Sequence, residues 1–360
     1  MDHVRKTTAK TRGVGRRDFL ASAGALGLTI ITSKVARAAS ANELVVASWG
    51  GPYQEALRKA HFEPFSRKTG IKVIETTFED PLSRIKAMSE ARNVEWDVVN
   101  VGDRHVIIGA REGLLEPIDY KVVATADIIP AAVHPYGVGS DVYANTIAYH
   151  TRRYSAQNHP RTWAEFWDAK RFPGPRSLRK VPFANLEFAL LADGVPADRL
   201  YPLDVERAFR SLDRIKPHVS AWWTSGAQFT QLLANGEVDL AAIWDGEVVG
   251  AIAKGAPIGV ERNQGLLSGD WWAVPKGAPH RENAMKFLAF AGQPEPQADQ
   301  TKYVSYAPTN RKAFDFIDPK VAKSLTTHPD YMKGLIKADN EWWGKYNTEL
   351  TERFNAWLIR

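Results

Sequence analysis

The sequence predicts an α/β protein whose mainly parallel sheet carries helices on both faces. Short apolar runs typical of strands alternate along the chain with segments of helical periodicity. The 360 residues, with 44% hydrophobic and 24% charged side chains, have a globular composition and a length typical of two domains or one large one. Because the chain contains no cysteine, disulfide scaffolds, thiolate nucleophiles and cysteine metal centres are excluded.

The first region of the chain repeats a strand–helix unit three times. The apolar run at residues 43–48 predicts a strand, and Pro52 is suited to the first turn of the helix that follows it. Gly70 and Gly113 are placed to end helices. The predicted elements are strands at 43–48, 71–77 and 96–101, a helix that ends at Gly70, a helix marked by Leu82, Ile85 and Met88, and a helix that ends at Gly113.

The second region begins after the glycine-rich segment 136–141 and continues the alternation. Thr162 and Glu165 form a capping box, which predicts the start of a helix. The tail from Pro319 is predicted to be mostly helical. The remaining predicted elements are helices at 185–193, 204–216, 225–236 and 282–291 and strands at 237–244 and 271–275.

The first 38 residues form a predicted export signal. They hold eight Lys/Arg and two Asp, so the other 39 basic and 39 acidic residues balance. Arg16 and Arg17 precede an uncharged stretch that is too short to span a bilayer, and a small-x-small peptidase pattern ends at Ala38. The paired arginines resemble the twin-arginine signal. We therefore expect a periplasmic protein that is exported by the twin-arginine pathway and cleaved after Ala38.

The rest of the chain offers neither a nucleic-acid surface nor a membrane span. A surface that follows phosphates needs clustered positive charge, and the body of this chain is neutral. Its longest uncharged run, residues 217–236, is interrupted by Ser, Thr, Gln and Asn. We therefore expect no nucleic-acid partner and no membrane insertion of the mature chain.

Signatures of catalysis and of metal binding are missing from the sequence. No GxSxG, HExxH, Walker loop or GxGxxG after a strand occurs, and the nine histidines lack metal-ligand spacing. These observations predict no enzyme activity, no metal and no cofactor. Because any chain with 41 acidic residues contains carboxylate pairs, an exported hydrolase stays open as an alternative.

Aromatic residues stand beside acids or glycines at several predicted strand ends. The segment SWGGPY places Trp49 and Tyr53 where the first strand meets its helix, and open α/β sheets bind ligands at the carboxyl ends of strands. Aromatic faces attract cations and carboxylates accept ammonium hydrogens, so the pattern predicts a site for an organic cation. The other such positions are Trp244, Asp245 and Glu247 in IWDGE, Asp270 beside Trp271 and Trp272 in SGDWW, and Tyr306 in SYAPTN.

The motifs, in this order, resemble those of a known family. They are similar to segments of the periplasmic solute-binding proteins of ABC importers, most of all the spermidine/putrescine-binding group. The resemblance covers essentially the whole mature chain. The motifs that carry it are SWGGPY, PFSRKTGIKV, WDVV, EGLLEPID, TWAEFWD, FPGPRSLR, LLANGEVDLAAIWDG, APIGV, DWWAVPKGAP, ENAMKFLAFA and SYAPTN.

The resemblance implies a two-lobe periplasmic-binding-protein fold of type II, with the ligand cleft between two α/β lobes. The implied lobe 1 comprises residues 39–140 and about 272–308, and lobe 2 comprises 141–271 and about 309–360 with the C-terminal helices. The implied function is the capture of a small cationic amine, a polyamine such as putrescine or spermidine. A monomer would deliver this ligand to the permease subunits of the inner membrane.

The resemblance also implies ligand-binding residues. In that group the aspartate before the crossover strand, which matches Asp270, binds an ammonium. The implied cleft residues are Trp49, Tyr53, Trp244 and Tyr306, with Asp245 in place of an asparagine of the group and Glu247 close behind it.

The sequence departs from the group at the far end of the ligand. Asn185, with Glu187 two residues on, stands where relatives carry acids, and Arg104 falls where they place Ser-x-Tyr. Arg104 would repel a cation if it faced the cleft, whereas it would pair with the carboxylate of an ω-amino acid. A zwitterionic, amino-acid-like ligand therefore stays open as an alternative.

Overall fold

The computed structural model describes residues 42–360, apart from the side chains of residues 226, 227, 229 and 230. The predicted export signal, with its paired arginines and its cleavage site after Ala38, lies outside these residues.

Within residues 42–360, eleven strands join into one sheet. They are β1 (Glu43–Ser48), β2 (Lys72–Thr77), β3 (Val98–Gly102), β4 (Val133–His134), β5 (Gly137–His150), β6 (Arg176–Arg179), β7 (Val219–Trp223), β8 (Leu240–Trp244), β9 (Ile258–Ala273), β10 (Ala307–Pro308) and β11 (Ile336–Lys337).

Fourteen α-helices cover the described part of the sheet. They are α1 (Gly51–Leu57), α2 (Glu63–Thr69), α3 (Pro81–Glu90), α4 (Asp103–Arg111), α5 (Trp163–Trp167), α6 (Asn185–Ala192), α7 (Val205–Ile215), α8 (Gly226–Ala234), α9 (Asp245–Ala253), α10 (Arg281–Ala291), α11 (Pro294–Gln300), α12 (Pro319–Ala322), α13 (Pro329–Met332) and α14 (Asn340–Leu358). A π-helical turn, Arg58–Phe62, joins α1 to α2.

The sheet divides into two parallel ends and an antiparallel centre. Its strand order is β2-β1-β3-β9-β5-β8-β6-β7. The strands β2, β1 and β3 are parallel, as are β8, β6 and β7, whereas β9 and β5 run antiparallel to each other and to their outer neighbours. We call the part around β1–β3 the first lobe and the part around β6–β8 the second lobe. The predicted α/β class, with a mainly parallel sheet in each lobe, is confirmed.

The two central strands are longer than the sequence predicts. Only residues 271–275 were expected as a strand at the second crossing, but β9 spans sixteen residues, and β5 spans fourteen. All residues of β5 are buried, including Ser140, Asp141 and Asn145. A strand that is buried on both faces and contains polar residues shows neither alternation nor an apolar run, so its pattern is hard to recognise.

Each lobe has its own apolar core. In the first lobe, Trp272 of β9 packs edge-on against Phe287 of α10, with ring centroids 5.1 Å apart. In the second lobe, Trp163 stacks on Phe188 and belongs to a cluster that includes Trp343. These large rings hold the strand ends in place, and the polar groups at those ends become the walls of the cavity described below.

The C-terminal helix α14 contacts both lobes. Its buried face, including Phe354 and Trp357, packs into the core of the second lobe. Its first residue, Asn340, donates a hydrogen bond to Asp103 at the start of α4 in the first lobe (2.7 Å), and Arg111 pairs with Glu341 (3.3 Å). Opening the space between the lobes would therefore break contacts made by α14.

Candidate functional site

A cavity of about 530 Å³ lies between the two lobes, and we call it the interlobe cavity. Strand ends and helix starts converge on it, because parallel strands in each lobe finish at the same edge. Its lining includes Trp49, Gly50, Gly51, Pro52, Tyr53, Phe78, Glu79, Gly102, Arg104, His105, Tyr143, Arg179, Lys180, Val181, Trp223, Thr224, Ser225, Trp244, Glu247, Asp270 and Tyr306.

Asp270 supplies a buried carboxyl group on the central strand β9. The indole Nε1 of Trp49 donates a hydrogen bond to its Oδ1 (3.0 Å), and the residue is only 4% exposed. Burial, followed by the charge of Asp141, holds the pKa of Asp270 well above its usual range. A cation beside this carboxylate would offset both effects, since an opposite charge favours the ionised form.

Asp141 is the cross-strand neighbour of Asp270 in the pairing of β5 with β9. Its Oδ2 accepts hydrogen bonds from the hydroxyl of Tyr53 (2.6 Å) and from Nε2 of Gln300 (2.8 Å). Burial raises the pKa of Asp141 to about 6, although the hydrogen bonds from Tyr53 and Gln300 oppose the shift. Two buried carboxyl groups thus stand side by side where the lobes join, and they disfavour each other's ionisation.

Two guanidinium groups face the same cavity, one from each lobe. Arg104, the second residue of α4, lies over the ring of Phe183 (4.3 Å from its centroid), and Arg179, the last residue of β6, lies over Trp244 (4.8 Å). Burial lowers the pKa of Arg179 to about 10, and it also lowers the pKa of Arg104. In the described part of the chain neither side chain donates a hydrogen bond or pairs with a carboxylate. The buried guanidinium of Arg104 and the half-buried guanidinium of Arg179 therefore lie against aromatic rings with no hydrogen-bond acceptor among the described residues.

Aromatic rings form the remaining walls. Tyr306 stacks on Tyr143, with centroids 5.1 Å apart, and Tyr53 lies 5.5 Å from Tyr306. Burial and the two guanidinium groups hold the pKa of His105 well below its usual range, so this ring is neutral at pH 7. The cavity therefore offers apolar surface, the carboxyl group of Asp270 and two guanidinium groups.

The structure brings seven of the ten residues considered from sequence to this cavity, and Arg104 is one of them. The seven are Trp49, Tyr53, Arg104, Trp244, Glu247, Asp270 and Tyr306.

The other three lie outside the cavity lining, and we withdraw them from the proposed site. Asp245 is fully buried and accepts hydrogen bonds from the backbone of Ala144 (3.0 Å), from Arg262 (2.8 Å) and from Thr326 (2.7 Å). The resemblance matches it to an asparagine of the group, and its carboxylate is occupied by these three donors.

Asn185 and Glu187 hold the second lobe together instead. Asn185 donates to the carbonyl groups of Arg179 (2.6 Å) and Val181 (2.7 Å), so it positions the chain next to the Arg179 side chain. Glu187 accepts from Tyr201 (2.6 Å) and Trp343 (2.7 Å).

Sequence reasoning missed Tyr143, His105 and Arg179, which line the cavity, and Asp141, the cross-strand neighbour of Asp270. Arg179 lies in a short segment without aromatic or acidic neighbours, and only the placement of β6 beside β8 carries it to the cavity. Asp141 lies in a strand that was not predicted. Among residues 42–360 no helix is long and apolar enough to cross a membrane, and no group of three or more His, Asp or Glu is arranged to hold a metal ion.

Comparison with known proteins places this site in a family. The profile of the bacterial extracellular solute-binding proteins matches residues 60–330. The chain belongs to the bacterial extracellular solute-binding protein family. A gamma-aminobutyric acid-binding protein of Pseudomonas aeruginosa is 35% identical over 93% of this chain and 96% of its own length. The spermidine/putrescine-binding periplasmic protein of Escherichia coli is 25% identical, over 86% of this chain and 89% of its own.

Solved structures agree with this membership. An ABC transporter substrate-binding protein from Bradyrhizobium japonicum has a TM-score of 0.82 at 37% identity, covering 88% of this chain and 99% of that one. A GABA receptor has a TM-score of 0.81 at 38% identity, with 88% and 98% coverage. This family member is thus a substrate-binding component of an ABC transporter with the two-lobe fold, and it is not an enzyme. The predicted periplasmic location is consistent with the name of the Escherichia coli relative, a periplasmic protein.

Proposed function

We propose that this solute-binding protein captures a small zwitterion, an ω-amino acid, and delivers it to an ABC permease. Asp270 would accept hydrogens from the ligand ammonium, and Arg104 and Arg179 would bind the ligand carboxylate. The aromatic rings of Trp49, Trp244 and Tyr306 would enclose the methylene chain between the two charged ends.

The two unpaired guanidinium groups carry this proposal. A buried charge without a partner is costly, and a carboxylate accepts hydrogen bonds from a guanidinium in a geometry that matches its two oxygens. A diamine would instead bring its second ammonium close to two positive charges. At 4 Å and an effective dielectric constant of about 20, each such contact is unfavourable by about 4 kcal/mol. We therefore favour the zwitterion over the polyamine.

The relatives support the proposal in the same direction. The relative at 35% identity is named for gamma-aminobutyric acid, an ω-amino acid, whereas the polyamine-binding relative is 25% identical. Arg104, which differs from the polyamine-binding group, first suggested a zwitterionic ligand. A second cation, Arg179, lines the same cavity and supports the same ligand.

Calorimetry with paired ligands tests this function. The parent protein and the variants Arg104→Gln and Arg179→Gln are titrated with 4-aminobutanoate, 5-aminopentanoate and putrescine. Removing one partner of a buried charged contact costs about 2–5 kcal/mol, so we expect each variant to lose at least about 30-fold in affinity for the ω-amino acid. Arg171→Gln is the matched control, since Arg171 is exposed and pairs with Glu165 far from the cavity. Tighter binding of putrescine than of either ω-amino acid by the parent would overturn the proposal.

We further propose that the ligand closes the cleft about β5 and β9, with the lobe boundaries predicted from sequence. The support is topological, because the chain crosses between the lobes in these two long strands. Export by the twin-arginine pathway, cleavage after Ala38 and action as a monomer remain parts of the same proposal.

A further inference from the structure

A second cavity, of about 550 Å³, adjoins the interlobe cavity. Pro52 and Glu247 line both, so the two spaces meet at these residues. The second cavity is lined by Pro52, Gln231, Ala234, Gly246, Glu247, Gly250, Ala251, Lys254, Gly255, Ala256, Tyr303 and Val304. A ligand of four or five carbons held between Asp270 and the arginines leaves this space unused.

Glu247 is a carboxylate without a partner at the junction of the two cavities. It is the third residue of α9 and half-buried, and its side chain makes no hydrogen bond or ion pair with any residue that the structure describes. Burial raises the pKa of Glu247, and the charge of Lys254 opposes this shift. An unpaired carboxylate in such a place favours a cationic hydrogen-bond donor.

One face of α9 forms the floor of the second cavity. Gly246, Gly250 and Lys254 are spaced four residues apart and therefore lie on the same side of the helix. A Cβ atom at Gly246 would meet the ring of Tyr306, so glycine is needed there for close packing. A Cβ atom at Gly250 would have no atom within 4 Å, so a side chain there would extend into open space. The packing of neighbouring atoms therefore does not require glycine at position 250.

Resting on the proposed function, we infer that the preferred solute is an ω-amino acid whose nitrogen carries a second, cationic arm. Its carboxylate would bind Arg104 and Arg179, its secondary ammonium would bind Asp270, and its arm would pass Glu247 into the second cavity. Such an N-(aminoalkyl)amino acid is a polyamine with one end replaced by a carboxylate. It would pair with four of the charged groups that line the two cavities: two guanidinium groups, the Asp270 carboxylate and the Glu247 carboxylate.

Two probes and three variants test the inference. N-(3-aminopropyl)-4-aminobutanoate is the extended probe and 4-aminobutanoate the short one. We expect the parent to bind the extended probe at least tenfold more tightly. Gly250→Leu fills the second cavity and should abolish this preference while leaving affinity for the short probe within about twofold. Gly250→Ala, the matched control, should bind both probes as the parent does. Glu247→Gln should reduce the preference about tenfold through loss of the countercharge.

The outcomes separate this inference from the function on which it rests. Equal binding of the two probes by the parent, or an unchanged preference in Gly250→Leu, would overturn the extended site while the ω-amino-acid function stands. Binding of neither probe would overturn the proposed function and the extended site with it. Because binding of the short probe also reports folding, a misfolded Gly250→Leu protein would be recognised directly, and Glu247→Gln then decides the question.

Discussion

Asp245 and Asp270 stand beside tryptophans in similar sequence motifs, yet the two regions around them differ. Asp245 accepts three hydrogen bonds, and its partner Arg262 also donates to the carbonyl of Ser324 (2.9 Å) and lies over the ring of Tyr331. Asp270 accepts one side-chain hydrogen bond, from Trp49, and the nearby arginines have rings but no acceptors. Where the protein itself supplies all hydrogen-bond partners of a buried charge, the charge stabilises the structure. Where it leaves them open, the charge is available to a ligand.

The largest expected effect comes from removing Asp245, whose hydrogen-bond partners are all supplied by the fold. Asp245→Ala leaves the Arg262 guanidinium buried without its carboxylate, and such a loss destabilises proteins by about 3–5 kcal/mol. Urea denaturation followed by circular dichroism should show a lower midpoint with an unchanged slope. Ligand affinity of the folded variant should match that of the parent. A variant as stable as the parent, or one that folds normally but fails to bind, would contradict the distinction between the regions.

A substitution at Asp270 should have the opposite effect: it should reduce ligand affinity without reducing stability. Asp270→Asn keeps the shape of the side chain but removes the countercharge of the ligand ammonium, so we expect affinity to fall by about 2–5 kcal/mol. The free energy of unfolding without ligand should not fall, since the substitution removes a buried carboxylate beside Asp141. Calorimetry and urea denaturation on the same preparation measure both quantities. If the variant binds an ω-amino acid as tightly as the parent, Asp270 is not the ammonium partner.

The smallest effect is the dependence on pH. Asp141 has a pKa of about 6 when folded and an ordinary value near 3.8 when unfolded, so the folded protein holds its proton more tightly. Its contribution to stability is present below about pH 4 and is lost as the pH rises through about 6, at most about 3 kcal/mol. The pKa of Asp270 is also raised, so this residue extends the loss of stability to higher pH. The charged or titratable groups around it are Asp103, Arg104, Arg179, Tyr53, Tyr143 and Tyr306.

Unfolding of the ligand-free parent and of Asp141→Asn between pH 4 and pH 8 provides the check. The difference in unfolding free energy between variant and parent should increase across this range, since only the parent carries the penalty. Affinity for the zwitterion should also rise over this range. As the Asp141–Asp270 pair loses its protons, it attracts the ligand ammonium more strongly. A constant difference between the two proteins would show that Asp141 is ionised as readily in the folded as in the unfolded chain.

Much of the fold was readable from sequence because it is encoded locally. The strand Glu43–Ser48 follows an apolar run and the helix Val205–Ile215 follows a helical periodicity. The Thr162 cap accepts the backbone N–H of Glu165, as the capping box predicts. Most of β5 and β9 escaped prediction because their stability comes from pairing with each other across more than 100 residues. Periodicity reports which face of an element is buried, and an element buried on all sides has no such signal.

The candidate site was partly readable for a related reason. Motifs at strand ends indicated Trp49, Trp244 and Asp270, since the carboxyl ends of parallel strands converge whatever the detailed packing. Whether a charge at such an end faces a cavity or a partner depends on residues that are distant in sequence. Asp245 meets Thr326 from 81 residues away, and this contact removes it from the site. Arg179 reaches the cavity because β6 pairs with β8, whose residues lie more than 60 positions further along the chain.

The contact of α14 with both lobes also has a practical use. If the lobes separate when the ligand leaves, the first turn of α14 must part from α4. Tyr346, 41% exposed on this helix and 4.8 Å from the ring of Trp342, lies beside that moving junction without lining either cavity. A fluorophore attached there would report opening and closing through its changed surroundings while leaving ligand recognition intact. The tail of the chain thus provides a place to convert this receptor into a sensor.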